Sequence, residues 1–136
     1  MEYLLDTNIC IYIIKKKPIE VLNKLRSIPL YSVAVSSITV AELEYGVRKS
    51  TQPQKNQEAL NEFLSALTIV DFNSQAAVEY GAIRTQLEAK GTPIGSLDML
   101  IAAHAKAVNL TLVTNNEREF SRIEGLKIEN WLSKKV

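Results

Sequence analysis

The sequence predicts a parallel α/β sandwich forming one compact domain. Short apolar runs alternate along the chain with longer stretches of helical periodicity, which is the pattern of successive strand and helix units. Two of the short runs end in polar turns, Leu4-Leu5-Asp6-Thr7-Asn8 and Leu112-Val113-Thr114-Asn115-Asn116. No repeat, linker or low-complexity tract interrupts the 136 residues, so a single domain over 1–136 is expected.

Tyr3-Leu4-Leu5 reads as a buried strand entering the Asp6-Thr7-Asn8 turn, with Thr7 or Asn8 available to cap the following helix. Pro18 opens a second helical stretch, Ile19 to Arg26, with Ile19, Val21, Leu22 and Leu25 on one face, and Pro29 ends it. Tyr31 to Val35 is β-branched enough for a strand. Thr39 to Lys49 then places Val40, Leu43 and Val47 at helical spacing. Pro53 to Leu67 is an amphipathic helix presenting Leu60, Phe63, Leu64 and Leu67. A brief strand, Thr68-Ile69-Val70, leads into Asp71. The long helix from about Ser74 to Lys90 takes Asn73 or Ser74 as its cap and is stopped by Gly91 and Pro93. An Ala-rich helix follows at Leu97 to Val108, then a strand at Leu110 to Val113. A helical turn at Glu117 to Phe120 and a strand at Lys127 to Glu129 complete the chain.

The composition is 46% hydrophobic and 23% charged, with 5 Gly and 4 Pro, which leaves no polar segment suited to disorder. A formal net charge of +1 does not by itself attract nucleic acid, so a basic patch or a bound cation must supply any affinity for phosphate. One cysteine, Cys10, excludes an intramolecular disulfide and a cysteine-rich zinc site. The first six residues lack the basic start and unbroken apolar run of a signal peptide. The stretch Ile9 to Ile14 is too short to cross a bilayer. A cytoplasmic location away from membranes is therefore expected.

In open parallel sheets, ligands bind beyond the carboxyl ends of the strands. The two polar strand endings point to one such rim, and helix starts gather there because right-handed crossovers return the chain to it. Glu42 lies near the start of the helix after the second strand, and Asp98 near the start of the Ala-rich helix. Asp6, Glu42 and Asp98 are thus expected to converge. Three close carboxylates repel one another unless a cation or protons neutralise them. Oxygen donors without Cys or His suit Mg²⁺ or Mn²⁺ better than zinc. Each acid also has an ordinary reading. Asp6 can terminate its strand and cap a helix, Glu42 can complete a Thr39-x-x-Glu42 capping box, and Asp98 can meet a helix dipole.

With these residues in view, the chain resembles the PIN-domain ribonucleases, specifically the VapC-type toxins of bacterial toxin–antitoxin pairs. The resemblance rests on Leu5-Asp6-Thr7-Asn8 and on Ala41-Glu42-Leu43-Glu44-Tyr45-Gly46. It continues through Pro93-Ile94-Gly95-Ser96-Leu97-Asp98 with Ile101-Ala102-Ala103, then Leu112 to Asn116, Glu119-Phe120, and Gly125-Leu126 through Asn130-Trp131. Each piece is a weak pattern alone; their order and spacing across nearly the whole chain are specific. The resemblance implies a PIN fold, a three-layer α/β/α sandwich around a central parallel sheet. It also implies a divalent-metal-dependent endoribonuclease acting on structured RNA, with tRNA the leading expectation. Asp6, Glu42 and Asp98 become the metal-binding acids, with Thr7 and Thr114 as supporting hydroxyls. A cognate antitoxin of the VapB type would inhibit the enzyme, operator DNA would bind only through that antitoxin, and a homodimer is implied. The apolar faces at Ile19–Leu25 and Leu60–Leu67 are open to these contacts or to the core.

One departure matters. Many relatives carry an acid after the Thr-Asn of the fourth motif, where this chain has Asn116. Glu119 is then expected to supply the missing carboxylate, directly or through water, and one well-held ion is expected, with any second ion weak. Asn116 also leaves open a catalytically weakened PIN module that only binds RNA or a partner protein. Haloacid-dehalogenase phosphatases want a second Asp where Asn8 stands, and receiver domains want adjacent acids and a late Lys that Thr114-Asn115-Asn116 lacks. His104, six residues beyond Asp98, falls on another side of the same helix. Lys15-Lys16-Lys17, Arg84 and Lys90 are open to RNA or to solvent.

Overall fold

A computed structural model describes residues 1–132; the last four positions of the expected domain, 133–136, lie outside the described residues. The chain runs β1 (Tyr3–Leu5), α1 (Thr7–Lys15), α2 (Ile19–Arg26), a 3-10 turn (Leu30–Ser32), β2 (Val33–Ser36), α3 (Ser37–Arg48) and α4 (Pro53–Ser65). It continues through β3 (Thr68–Val70), α5 (Ser74–Ala89), α6 (Ser96–Ala107), β4 (Thr111–Val113), α7 (Glu117–Phe120) and β5 (Ile128–Glu129). The five strands form one parallel sheet in the order β3-β2-β1-β4-β5.

The three central strands are apolar except for Thr111 and Ser36 at their ends, because both of their faces are covered. Successive side chains alternate between faces. Tyr3, Leu5, Val33, Val35 and Val113 point to a cluster with Ile9, Ile13, Val21, Leu25 and Leu60 of α1, α2 and α4. Leu4, Ala34 and Leu112 point the other way, to Ile83, Leu87, Ile101, Ala102 and Phe120 of α5, α6 and α7. The result is a three-layer α/β/α sandwich. The small side chains of α6, with Ala102, Ala103 and Ala105 fully buried, let that helix lie close against the sheet and against α5. Among the described residues, no helix is long and apolar enough to cross a membrane.

Several boundaries shift by one or two residues from the sequence expectation, and three have a clear cause. The cap of α1 is Asp6, as its ordinary reading allowed, and not Thr7 or Asn8: its carboxylate accepts from the Ile9 N–H at 2.9 Å. Residues 30–32 form a 3-10 turn, fastened by the Ser32 hydroxyl on the Pro29 carbonyl at 2.6 Å, so β2 starts at Val33 and not Tyr31. Helix α3 starts at Ser37, two residues before Thr39, because Ser36 caps it by accepting from the Ile38 N–H at 3.0 Å. The long helix takes Asn73, one of its two expected caps, through a bond from the Ala76 N–H.

Candidate functional site

The chain leaves β1 towards β2 and β3, then returns to add β4 and β5 on the other side of β1. Connections therefore diverge between β1 and β4, which opens a crevice beyond their carboxyl ends, the position where parallel α/β sheets bind ligands. Leu5 is in register with Val113, and the Asp6 N–H donates to the Val113 carbonyl at 3.0 Å. Asp6 and Thr114 thus leave the sheet side by side.

Four carboxylates face this crevice from four different elements. Asp6 is 5% exposed at the head of α1. Glu42 is half-buried on α3, where its Oε1 accepts from the Thr7 hydroxyl at 2.7 Å. Asp98 is half-buried in the first turn of α6, and Glu119 is half-buried on α7. Burial raises the Asp6 carboxyl above its ordinary value, and the Glu42 charge adds to that; bonds from Thr114 and from the Ile9 and Asn8 backbone pull the other way. Asp98 is pushed up to about 6, first by burial and then by the charges of Glu119, Asp6 and Glu42 in that order. Asp98 therefore feels the charges of the other three acids, and Asp6 that of Glu42.

This geometry decides among the ordinary readings of the acids. Asp6 does cap α1, but a cap alone would lower its pKa, and burial beside another acid raises it. The Thr39-x-x-Glu42 capping box does not form: Thr39 lies inside α3, its Oγ1 buried with no hydrogen-bond partner, and Ser36 holds the cap. Glu42 is left to bond Thr7 across 35 residues of sequence. A first-turn Asp that merely met the helix dipole would be held below its usual range, yet Asp98 is raised. Burial and its acidic neighbours outweigh the dipole.

The donor set is all oxygen. Its mutual repulsion is the condition a hard divalent cation relieves, so the residues fit Mg²⁺ or Mn²⁺. Among the described residues, no three acidic, histidine or cysteine side chains stand close enough to form a finished cage. Mg²⁺ is commonly held by one or two carboxylates with water completing its shell, so a full cage is not required of these acids.

The other singled-out residues fall in distinct places. The Thr114 hydroxyl bonds Asp6 and also accepts from the Asn116 N–H at 2.9 Å, which turns the chain into α7. Asn116 occupies the N-cap position of α7 without a side-chain capping bond. Arg84 bonds Glu88 and Tyr80 along α5, and Lys90 pairs with Glu124 at 2.8 Å. Lys15, Lys16 and Lys17 are exposed at the end of α1 opposite Asp6. Cys10 is buried in the core. His104 is fully buried, six residues beyond Asp98 on α6, and bonds Ser36 at 2.7 Å. Two site-building contacts escaped the sequence reading. The first is this His104–Ser36 bond. The second ties Asn115 to the Tyr12 hydroxyl at 2.8 Å, joining the turn after β4 to α1. Asn115 was visible within a polar strand ending, but nothing in a linear pattern pairs it with a residue 103 positions away.

Residues 3–126 match the family described as PIN domain. A protein named ribonuclease VapC2 from Rickettsia felis is 52% identical over 132 residues, spanning 96% of this chain and 98% of that protein. A tRNA(fMet)-specific endonuclease VapC of Salmonella typhimurium is 44% identical over 131 residues, spanning 96% and 98%. Among solved structures, the VapBC2 complex of Rickettsia felis bound to a DNA fragment from its promoter contains a chain that matches with a TM-score of 0.91 and 51% identity, over 96% of this chain and 99% of that one. The DNA-bound VapBC of Salmonella typhimurium gives a TM-score of 0.92 at 43% identity, over 97% and 99%.

Proposed function

Because the chain belongs to the PIN-domain family, among its VapC-type ribonucleases, we propose that it is the toxin of a toxin–antitoxin pair, a divalent-metal-dependent endoribonuclease cutting phosphodiester bonds in structured RNA. A tRNA is the favoured substrate, in keeping with the relatives named for tRNA(fMet). The observation that carries the reading is the placing of acids from four elements at the crevice beyond β1 and β4, with Asp6 leaving the sheet beside Thr114 and Glu42 bonded to Thr7; burial first, and then the neighbouring charges, raise Asp98 to about 6.

A bound Mg²⁺ or Mn²⁺ supplies a Lewis acid for the phosphoryl oxygen and a water acidic enough to yield hydroxide near neutral pH. The chain's own residues prepare the place for it. Asp6 is locked by the Ile9 N–H and the Thr114 hydroxyl, so its carboxylate is preoriented at the strand end. Thr7 holds one oxygen of Glu42 and leaves the other for the crevice. Asp98 gives up its proton near neutrality and then offers a full charge. Glu119, whose charge raises Asp98 more than that of the other acids, stands in for the acid that Asn116 replaces. With no acid at 116, one ion is held well and a second only weakly.

The antitoxin side of the reading draws on solved relatives that are VapBC complexes bound to DNA. A groove lined by Ile13, Leu22, Leu25, Phe63 and Leu67 runs between α1, α2 and α4. The two apolar faces noted in the sequence meet there, partly in the core and partly open. A VapB-type antitoxin would occupy such a groove, inhibit the enzyme and carry the pair to operator DNA. A homodimer in the cytoplasm completes the proposal.

The test is cleavage of a total tRNA pool by purified protein with Mg²⁺ or Mn²⁺, with excess EDTA, and by Asp98→Asn. Discrete fragments in the first case alone support the reading. Undiminished cleavage in EDTA or by the variant refutes it. Asn116 favours the second reading, a PIN module that binds RNA or a protein without cutting, and RNA retention without cleavage under any metal selects it.

A further inference from the structure

Helices α3 and α6 carry two of the acids and pass each other in opposite directions. Glu42 lies six residues beyond Ser36 on α3, and His104 lies six residues beyond Asp98 on α6. Glu42 and Leu97, the residue before Asp98, line one groove where α3 and α6 meet, so the two acid-bearing stretches lie together. At the other end of the same stretch, His104 Nδ1 and Ser36 Oγ stand 2.7 Å apart, both residues fully buried. Six residues of helix rise about 9 Å. The two helices are therefore joined at two levels, one a pair of repelling carboxylates and the other a neutral hydrogen bond.

The ring tautomer sets the direction of that bond, and the surroundings favour Ser36 as the donor. Ser36 Oγ already accepts from the Ile38 N–H at 3.0 Å, so its own proton is available to donate to Nδ1. The imidazole then carries its proton on Nε2, which finds no acceptor at hydrogen-bonding geometry although the Asp71 backbone lies near it. Phe72 packs edge-on against the ring at 5.4 Å and fixes its plane. A buried bond of this kind resists sliding of one helix along the other, because breaking it leaves two buried polar groups unpaired.

We propose that His104 is a positioning residue for the metal site: through Ser36 it fixes α6 against the start of α3 and thereby sets the separation of Asp98 and Glu42. The inference rests on the nuclease reading above, but its decisive measurement does not require cleavage. Mn²⁺ binding to the metal-free protein is followed by electron paramagnetic resonance in three variants, His104→Asn, His104→Gln and His104→Leu, beside the unaltered chain. An Asn amide places an acceptor near the position of Nδ1; a Gln amide fills more of the imidazole volume but reaches towards Nε2. Positioning through Ser36 predicts that His104→Asn keeps Mn²⁺ affinity within about twofold, while His104→Gln and His104→Leu each lose roughly tenfold, the scale seen when groups supporting metal ligands are removed. In tRNA cleavage the same two variants lose kcat with KM little changed. A role in packing alone predicts the reverse order, with Gln better than Asn, and that order, or wild-type affinity in all three, overturns the proposal. If the His104 variants fail to fold, Ser36→Gly and Ser36→Thr take their place, since Gly is a tolerated cap without a hydroxyl and Thr retains it. Loss in Ser36→Gly with retention in Ser36→Thr supports the proposal, and equal affinity in both overturns it. Should the unaltered chain cut no RNA while the Mn²⁺ ranking holds, the nuclease reading falls and the positioning role stands.

Discussion

Replacing Asp98 by Asn should destroy cleavage and at the same time make the metal-free protein more stable. Asp98 moves from an ordinary 3.8 in the unfolded chain to about 6 in the folded one. The folded state thus binds this proton more tightly, so Asp98 adds stability below pH 4 that is lost as pH rises to and through about 6. Two pKa units correspond to about 3 kcal/mol of strain at pH 7.5. Asp98 is only half-buried, and solvent screening reduces that to about 1 kcal/mol. Removing the charge should therefore raise the melting temperature by roughly 3 °C for a domain of this size. The assay is thermal unfolding by circular dichroism in EDTA from pH 3.5 to 8. Asp98→Asn is expected to match the unaltered chain at the acid end and to exceed it above pH 6. Excess Mn²⁺ should then close or invert the gap, because only the carboxylate gains from the ion. If Asp98→Asn is less stable than the parent at pH 7.5 in EDTA, the acids are not straining the fold.

Three further outcomes follow from the same geometry. Mn²⁺ affinity should fall about tenfold per pH unit below about 6 and level off above it, since an ion and a proton compete for Asp98; calorimetric titration checks this, and a flat profile contradicts it. Thr7→Ala frees the Glu42 carboxylate from its 2.7 Å bond and should lower kcat about tenfold while leaving the fold intact, a scale usual for groups that orient metal ligands. Glu119→Gln removes the charge that acts most strongly on Asp98, so the acid limb of the Mn²⁺ titration should move to lower pH with one tight site retained. No movement of that limb would separate Glu119 from the cluster.

The order of strands and helices was legible because the central strands are apolar on both faces and Pro or Gly punctuates the turns. Helix α2 matches its expectation of Ile19 to Arg26 at both ends, with Pro18 before it and Pro29 beyond. Caps were less legible for a physical reason. Asp6-Thr7-Asn8 and Ser36-Ser37-Ile38-Thr39 each offer several side chains able to cap, and the choice is made by where the sheet ends. The pairing of Leu5 with Val113 and of Ser36 with Val70 places Asp6 and Ser36 at the last rung. Local pattern favoured a box from Thr39 to Glu42; tertiary position gave the cap to Ser36 and left Glu42 for Thr7. The acids themselves could be named from sequence because the fold class locates the rim. Their separation could not be read, nor the absence, among the described residues, of a finished three-ligand cage.

Strand β1 is made first and lies in the middle of the sheet, yet its neighbour β4 is made only after residue 110. The four acids are spread from position 6 to position 119, and the crevice between β1 and β4 does not exist until the last strands arrive. A growing chain therefore carries Asp6 and Glu42 long before it has anywhere to use them. Long-range parallel pairing of this kind closes late and as a unit, so an interrupted copy has most of the acids and none of the site. A chain stopped before β4 therefore has no assembled rim for its acids to share.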